Sequence, residues 1–260
     1  MLQREDQDGL IVISQPAHAW VSGQLARCWG NKTFGDVVPA EEVCLAAEQH
    51  DIGFLPWEQA PTLNKATGRP HTFLDLPTEL HLHLWSTGIQ QMMRFGRYPA
   101  LLLSMHFSAL CQRHQTFDCP EEAQMQQKFL DDQSGFQSAI LSSLRNDFYY
   151  SVFSTEEVIR RNRQLISLWD WMSLLLCMGV REKRLLEDIP AAEGQTRLTL
   201  ATAKPASKQV QVAPWPFQGD RVRIVCEGRR LLKTFQNENV MREALKAASP
   251  VTINIELVPE

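Results

Sequence analysis

The sequence predicts a mainly α fold, a helical bundle carrying a small antiparallel β appendage at the C-terminus. Three observations lead there. Apolar residues recur at three- and four-residue spacing over most of the first 180 positions. After Gly179 the pattern changes to period-2 alternation, clearest in Thr252-Ile253-Asn254-Ile255-Glu256-Leu257. The length of 260 residues, with 44% hydrophobic and 22% charged content, suits one large domain with an appendage. The expected division is a helical metal-binding domain over 1–180 and a small β-rich subdomain over 181–260, packed on it.

In chain order, Gly9 to Ser14 is a short β-branched run that reads as a strand. Pro16 fits a first helical turn, and Val21, Leu25 and Trp29, spaced by four, extend that helix until Gly30-Asn31. Ala40 to His50 forms the second helix, with Val43, Ala46, Ala47 and His50 on one face and Gly53 as a stop. Phe54 to Pro77 is irregular and rich in proline; a loop of that length in a compact domain is usually functional or disordered. Its Trp57, Phe73 and Leu74 imply that it packs over something. Thr78 to Phe95 is a third helix and Ala100 to Gln112 a fourth. Glu121 to Tyr150 reads as two helices parted at Ser134-Gly135, the first ending near Asp131. Thr155-Glu156-Glu157 opens the strongest helix, with Val158, Leu165, Leu168, Trp169, Met172, Leu175 and Leu176 as its apolar series. Residues 181–208 are charged and small. Strands follow at Val210–Val212, Arg221–Cys226 and Val251–Leu257, a sheet open to the strand at Leu10–Ile13.

Composition excludes several classes. A net charge of −4 and a pI near 6.0 leave no basic footprint for nucleic acid. The most apolar window, Leu165 to Val180, carries Asp170 and is shorter than the roughly 20 residues that cross a bilayer. The polar start MLQREDQDG is not a secretory signal. Six cysteines with no CxxC pair read as reduced thiols. These features lead to the expectation of a cytoplasmic protein with a small-molecule substrate, no nucleic-acid or membrane partner, and Trp215 and Phe217 free to serve a homodimer or to dock the final sheet.

Buried ionisable groups need a partner, a hydrogen bond or a metal. Asp170 sits in the middle of the most apolar helix, on a stripe with Ile166, Ser173 and Cys177. His106 follows Leu101-Leu102-Leu103, and His18 lies beside Val21 and Ser22. Each alone is compatible with an ordinary core residue bonded to a carbonyl, or for Asp170 with a partly exposed acid. Taken with His50-Asp51, they set imidazoles and carboxylates on the inward faces of four helices, as a bundle metal centre requires. Such donors suit Mn, Fe, Ni or Zn. Of His81 and His83, two residues apart, at most one can face such a site, whereas His71 and His114 read as surface or substrate-side groups.

The order His18, His50-Asp51, Asp170 resembles the signature of the HD-domain superfamily of metal-dependent phosphohydrolases, and LISLWDWMSLLLC is similar to its last ligand helix. The stretches WVSGQLARCWG, AAEQHDIGFLPWE, TGRPHTFLDLP, YPALLLSMHFSALC and PWPF together resemble an uncharacterised bacterial family with an HD-like site. The resemblance implies an HD-like helical bundle with His18, His50, Asp51 and Asp170 as metal ligands, and His106 with His83 or His81 completing a second site. Where many hydrolytic members carry a Lys after this motif, Phe54 stands here.

The expected activity is metal-dependent hydrolysis, with one or two divalent transition-metal ions and Asp51 as catalytic, bridging carboxylate. Arg69 and Lys65 would bind an anionic substrate beneath a lid containing Trp57. The alternatives are an HD-type di-iron oxygenase and a non-catalytic ligand-binding module.

Overall fold

The computed structural model describes residues 1–114, 119–202 and 208–260. Strands β1 (Leu2–Asp6) and β2 (Gly9–Ile13) open the chain, followed by helices α1 (Gln15–Cys28) and α2 (Ala40–Glu48). A 3-10 turn at Ile52–Phe54 leads into α3 (Leu55–Glu58), the ribbon of β3 (Leu63–Asn64) and β4 (Arg69–Pro70), and a second 3-10 turn at Phe73–Asp75. Helices α4 (Thr78–Met92), α5 (Arg97–Arg113), α6 (Pro120–Arg145) and α7 (Glu156–Met178) follow. The chain continues through β5 (Arg184–Pro190), β6 (Gln195–Thr202), β7 (Gln209–Ala213) and β8 (Val222–Leu231), then α8 (Glu238–Ala247) and β9 (Pro250–Pro259).

Seven strands form one sheet in the order β1-β2-β8-β9-β7-β6-β5. Neighbours run antiparallel except β7 and β9, which are parallel. This corrects the expected architecture. With 51% helix and 22% strand the protein is α/β, not mainly α or all-α with a β appendage, and the implied HD-like helical bundle is not its fold. The sheet is larger than expected because it takes in residues at both ends of the chain and part of the charged stretch after Gly179. In β5 and β6 the exposed positions are polar apart from Leu185, while Leu186, Ile189, Leu198 and Leu200 point into the core, a row too sparse to stand out in sequence.

Helices α1 and α7 pack on one face of the sheet and α8 on the other. Strand β2 is buried on both: Ile11 and Ile13 join the main core, whereas Leu10 and Val12 pack with Leu63, Leu231, Phe235, Met241 and Leu245 beneath α8. Trp29 anchors the middle of the main core, edge-to-face with Phe34, Trp169 and Phe217 at centroid distances of 5.4, 5.8 and 5.5 Å. Phe217 is therefore buried, not a free surface aromatic.

Local signals set the helix starts. The Ser14 hydroxyl accepts from the Ala17 N–H ahead of α1, and Thr155 accepts from the Val158 N–H ahead of α7. Helix α6 is continuous, correcting the expected break at Ser134-Gly135. A mid-helix glycine costs only about 1 kcal/mol, and the pairs Gln127–Asp131 and Lys128–Asp132 tie adjacent turns just upstream. Two close approaches depend on glycine. A Cβ at Gly23 of α1 would stand 2.6 Å from the Glu48 Cβ of α2, and one at Gly53 would stand 2.1 Å from the Leu84 carbonyl oxygen of α4. Among the described residues, no helix is long and apolar enough to cross a membrane.

Candidate metal centre

Three helices and the turn after α2, where the expected second helix stops short of His50, bring five donors together. His18 comes from the first turns of α1 and His106 from the middle of α5. Asp170 comes from the apolar stretch of α7, and His50 and Asp51 from the turn after α2. That turn sits against α4 because Gly53 and Gly88 let backbone approach backbone. His18, His50, Asp51 and His106 are buried, and the Asp170 side chain is only 14% exposed.

The ring nitrogens are sorted by their outer partners. Ser173 Oγ donates to the Asp170 carbonyl at 2.7 Å and so accepts from His18 Nδ1, also at 2.7 Å. His50 Nδ1 donates to the Ala47 carbonyl at 2.8 Å, and His106 Nδ1 meets Ser167 Oγ at 3.0 Å. The three Nε2 atoms therefore turn inward, onto the carboxylates. His18 Nε2 is 2.8 Å from Asp51 Oδ2 and 4.0 Å from Asp170 Oδ1. His50 Nε2 is 3.6 and 3.3 Å from the same two oxygens, and His106 Nε2 is 3.4 Å from Asp170 Oδ2. Gln15 Nε2 donates to Asp51 Oδ2 at 2.9 Å and holds that carboxylate in place.

The His50 and His106 Nε2 atoms are buried with no hydrogen-bond partner. Bonds of about 2.0–2.2 Å to one transition-metal ion set neighbouring donors roughly 3.0–3.6 Å apart, the range these separations bracket. A ligating imidazole that donates its other N–H to a carbonyl or hydroxyl is the usual outer arrangement of such sites. His18, His50 and Asp51 alone offer three ligand atoms within 4.8 Å of one another, a buried group that could hold a metal ion. Among the described residues no second group of this kind is present.

The charges of the cluster compensate one another. Burial opposes charge on His50, but Asp51 and Asp170 outweigh it and push the imidazole up to about 9. Burial likewise opposes ionisation of Asp51 and Asp170; the facing histidines prevail and hold both below the usual carboxylate range, Asp170 well below. Burial pushes His106 down despite Asp170 beside it.

The centre opens onto a cavity of about 1120 Å³, lined by Gln15, His18, Asp51, His106 and Asp170 at its floor. Phe73, Leu74 and Leu76 from the long loop form one wall, α4 with His81 and Trp85 another, and β5 a third. A bulge between Leu186 and Ile189 interrupts β5, with Asp188 at φ 57°. Burial pushes His81 down to about 4, so it lines the cavity as a neutral imidazole between Phe54 and Trp85.

Other expected residues lie elsewhere. His83 is exposed on α4. Arg69 pairs with Glu5 at 2.8 Å and lines a separate cavity of about 440 Å³. Lys65 is exposed at the tip of the β3–β4 ribbon, and Trp57 packs into the two cores without lining the central cavity. His71 bonds Thr62 in the ribbon, whereas His114 does line the cavity. Sequence reasoning missed Gln15, Ser167, Arg113 and Arg163. Ser167 had a signal, three residues before Asp170 on α7; the arginines had none, because only the folded chain reveals what they face.

A family model described as "Protein of unknown function (DUF3891)" matches residues 1–233. No curated protein and no solved structure matches the chain. This match and the large sheet together overturn the resemblance to the HD-domain superfamily.

Proposed function

The chain belongs to this DUF3891 family of proteins of unknown function, and from the geometry of its centre we propose that it is a metal-dependent hydrolase of a small anionic molecule. The observation that carries the reading is the sorting of the three histidines. Each Nδ1 is tied outward, the Nε2 atoms of His18 and His50 face both Asp51 and Asp170, and that of His106 faces Asp170. A purely structural polar cluster rarely leaves two buried Nε2 atoms facing carboxylates at 3.3 and 3.4 Å without a well-formed hydrogen bond.

One divalent ion, Mn, Fe, Ni or Zn, would be held by His18, His50, Asp51 and Asp170, with His106 on the second oxygen of Asp170. Such an ion supplies a water acidified towards pH ~7 and polarises the bond under attack. The chain does the rest. Asp51 lines the cavity beside His18, where its carboxylate accepts a proton from attacking water; Gln15 fixes the orientation of that carboxylate. Neutral His81 presents a ring N–H to the substrate from the α4 wall. The apolar residues Phe73, Leu76 and Trp85 exclude bulk water. The single ion is assigned to the donors that lie close enough to share it.

The test is elemental analysis of the purified protein beside Asp170→Asn and His50→Gln variants, followed by assay on a panel of chromogenic esters and phosphoesters. The expected result is close to one transition-metal ion per wild-type chain, at least tenfold less in the variants, and metal-restored turnover. Wild-type protein free of metal after growth with Mn, Fe, Ni and Zn, and unable to take any up, refutes the proposal.

A further inference from the structure

The cavity has a second chemical pole away from the metal donors. Arg163 of α7 and Arg113 at the end of α5 both line it. Arg163 is half-buried, and half-buried arginines in this chain are otherwise paired. Arg97 meets Asp147, Arg230 meets Asp6, Arg242 meets Glu238, Arg69 meets Glu5, Arg161 donates to the Phe34 carbonyl and Arg4 to that of Cys177. Among the described residues Arg163 alone has no such partner. Its burial and the like charge of Arg113 both work against its protonated form. A half-buried cation with no counter-charge, beside the exposed Arg113, is stabilised when an anion joins the two.

The carboxylates of the cavity do not fill that role. Asp51 and Asp170 face the histidines, Glu187 pairs with Arg197 at 3.4 Å, and Asp188 on the bulge reaches neither arginine. We infer that Arg163 and Arg113 form an oxyanion subsite for the substrate's charged end, remote from the bond that is cleaved. Seven residues separate Arg163 from Asp170 on one face of α7, so their Cα atoms stand about 10 Å apart along the axis. The wall between them carries the apolar Leu110, Leu168 and Trp85 beside the polar Gln164 and Ser167. The substrate class is thus an elongated organic acid. A terminal carboxylate or phosphate sits on the guanidinium pair, an apolar or aromatic spacer lies along α7, and the hydrolysable bond is at the centre. For the identity of that far end the inference rests on the hydrolase reading; the oxyanion subsite itself does not.

Calorimetric titration of chelator-treated wild-type protein with inorganic phosphate and, separately, with glutarate tests it. The expected result is one site for at least one of the two, persisting without metal and weakened about tenfold or more in Arg163→Gln and in Arg113→Gln, with partial recovery in Arg163→Lys. Preference between phosphate and glutarate identifies the oxyanion. Metal content and melting temperature are measured on the same samples, and both are expected to match wild type. Absence of binding to either probe, or undiminished binding in Arg163→Gln, overturns the subsite even if metal is present. Binding intact in a protein that takes up no metal overturns the hydrolase reading and leaves the subsite standing.

Discussion

Replacing Gly53 by alanine puts one methyl group where the fold has least room. Its carbon would stand 2.1 Å from the Leu84 carbonyl oxygen and 2.6 Å from the Gly88 backbone nitrogen. Ordinary contact begins near 3.4 Å, so the turn and α4 must part by roughly 1 Å. Both obstacles are helix backbone, which no rotamer change can move. Overpacking costs about 1–3 kcal/mol, and a rigid obstacle sets this case at the upper end. In a chain of this size that lowers the melting temperature by about 5–10 °C. His50 and Asp51 lie in the same turn, and metal–ligand distances tolerate only about 0.2 Å, so metal is lost as well. Thermal unfolding in chelator and metal content of the purified variant check both effects. Gly88→Ala is the milder companion: its Cβ would come to 3.3 Å of the Gly53 nitrogen, and a helix-propensity gain of about 1 kcal/mol offsets the contact. A Gly53→Ala protein that melts within about 2 °C of wild type with full metal content would refute the idea that this approach seats the turn.

Three further outcomes are expected. Ser173→Ala removes the oxygen that accepts from His18 Nδ1 and weakens zinc binding about 10–100-fold by calorimetry; unchanged affinity would show that His18 needs no such anchor. Gly135→Ala, in the interior of α6 with nothing within 4 Å of the new Cβ, raises stability by about 0.5–1 kcal/mol in urea unfolding; destabilisation would mean that the helix breaks there. In metal-free protein His50 is raised from 6.5 to about 9, so its contribution to stability is full below pH 6.5 and disappears as pH rises through 9. Metal must displace the same proton, so zinc affinity climbs over that interval; a flat profile between those limits in chelator and in zinc titrations would contradict the assignment.

The helical part of the molecule was legible because burial imposes a period on sequence. Leu165, Leu168, Trp169, Met172 and Leu176 mark the buried side of α7, and Asp170 stood out as a carboxylate among them. The donors His18, His50, Asp51, His106 and Asp170 were legible for the same reason: ionisable residues on apolar faces need explaining. The sheet was not. β1 reads LQRED, mostly polar, and although β5, β6 and β7 pair with their neighbours in sequence, they join the rest of the sheet only through the parallel contact of β7 with β9. Nothing local encodes such a partner. Arg69 and Lys65 were plausible anion binders by sequence position alone, but the β3–β4 ribbon carries both away from the centre. Arg163 drew no notice in the sequence, because its want of a counter-charge exists only in three dimensions. The likeness to the HD superfamily rested on the spacing of a few His and Asp residues, which different architectures can share.

The two-sided burial of β2 has a consequence for the centre. Leu10, Ile11, Val12 and Ile13 are all apolar, so a shift by one residue would swap the two cores' contacts without exposing anything oily, and hydrophobicity cannot guard the alignment. The guard is the tight reversal before it, where Asp6 pairs with Gly9, whose φ of +131° only glycine tolerates easily. Since Ser14, Gln15 and His18 follow directly, a one-step shift would slide His18 by about 3.3 Å, far beyond what metal ligation allows. The hairpin at the sheet's edge thus works as a gauge block for a site it never touches.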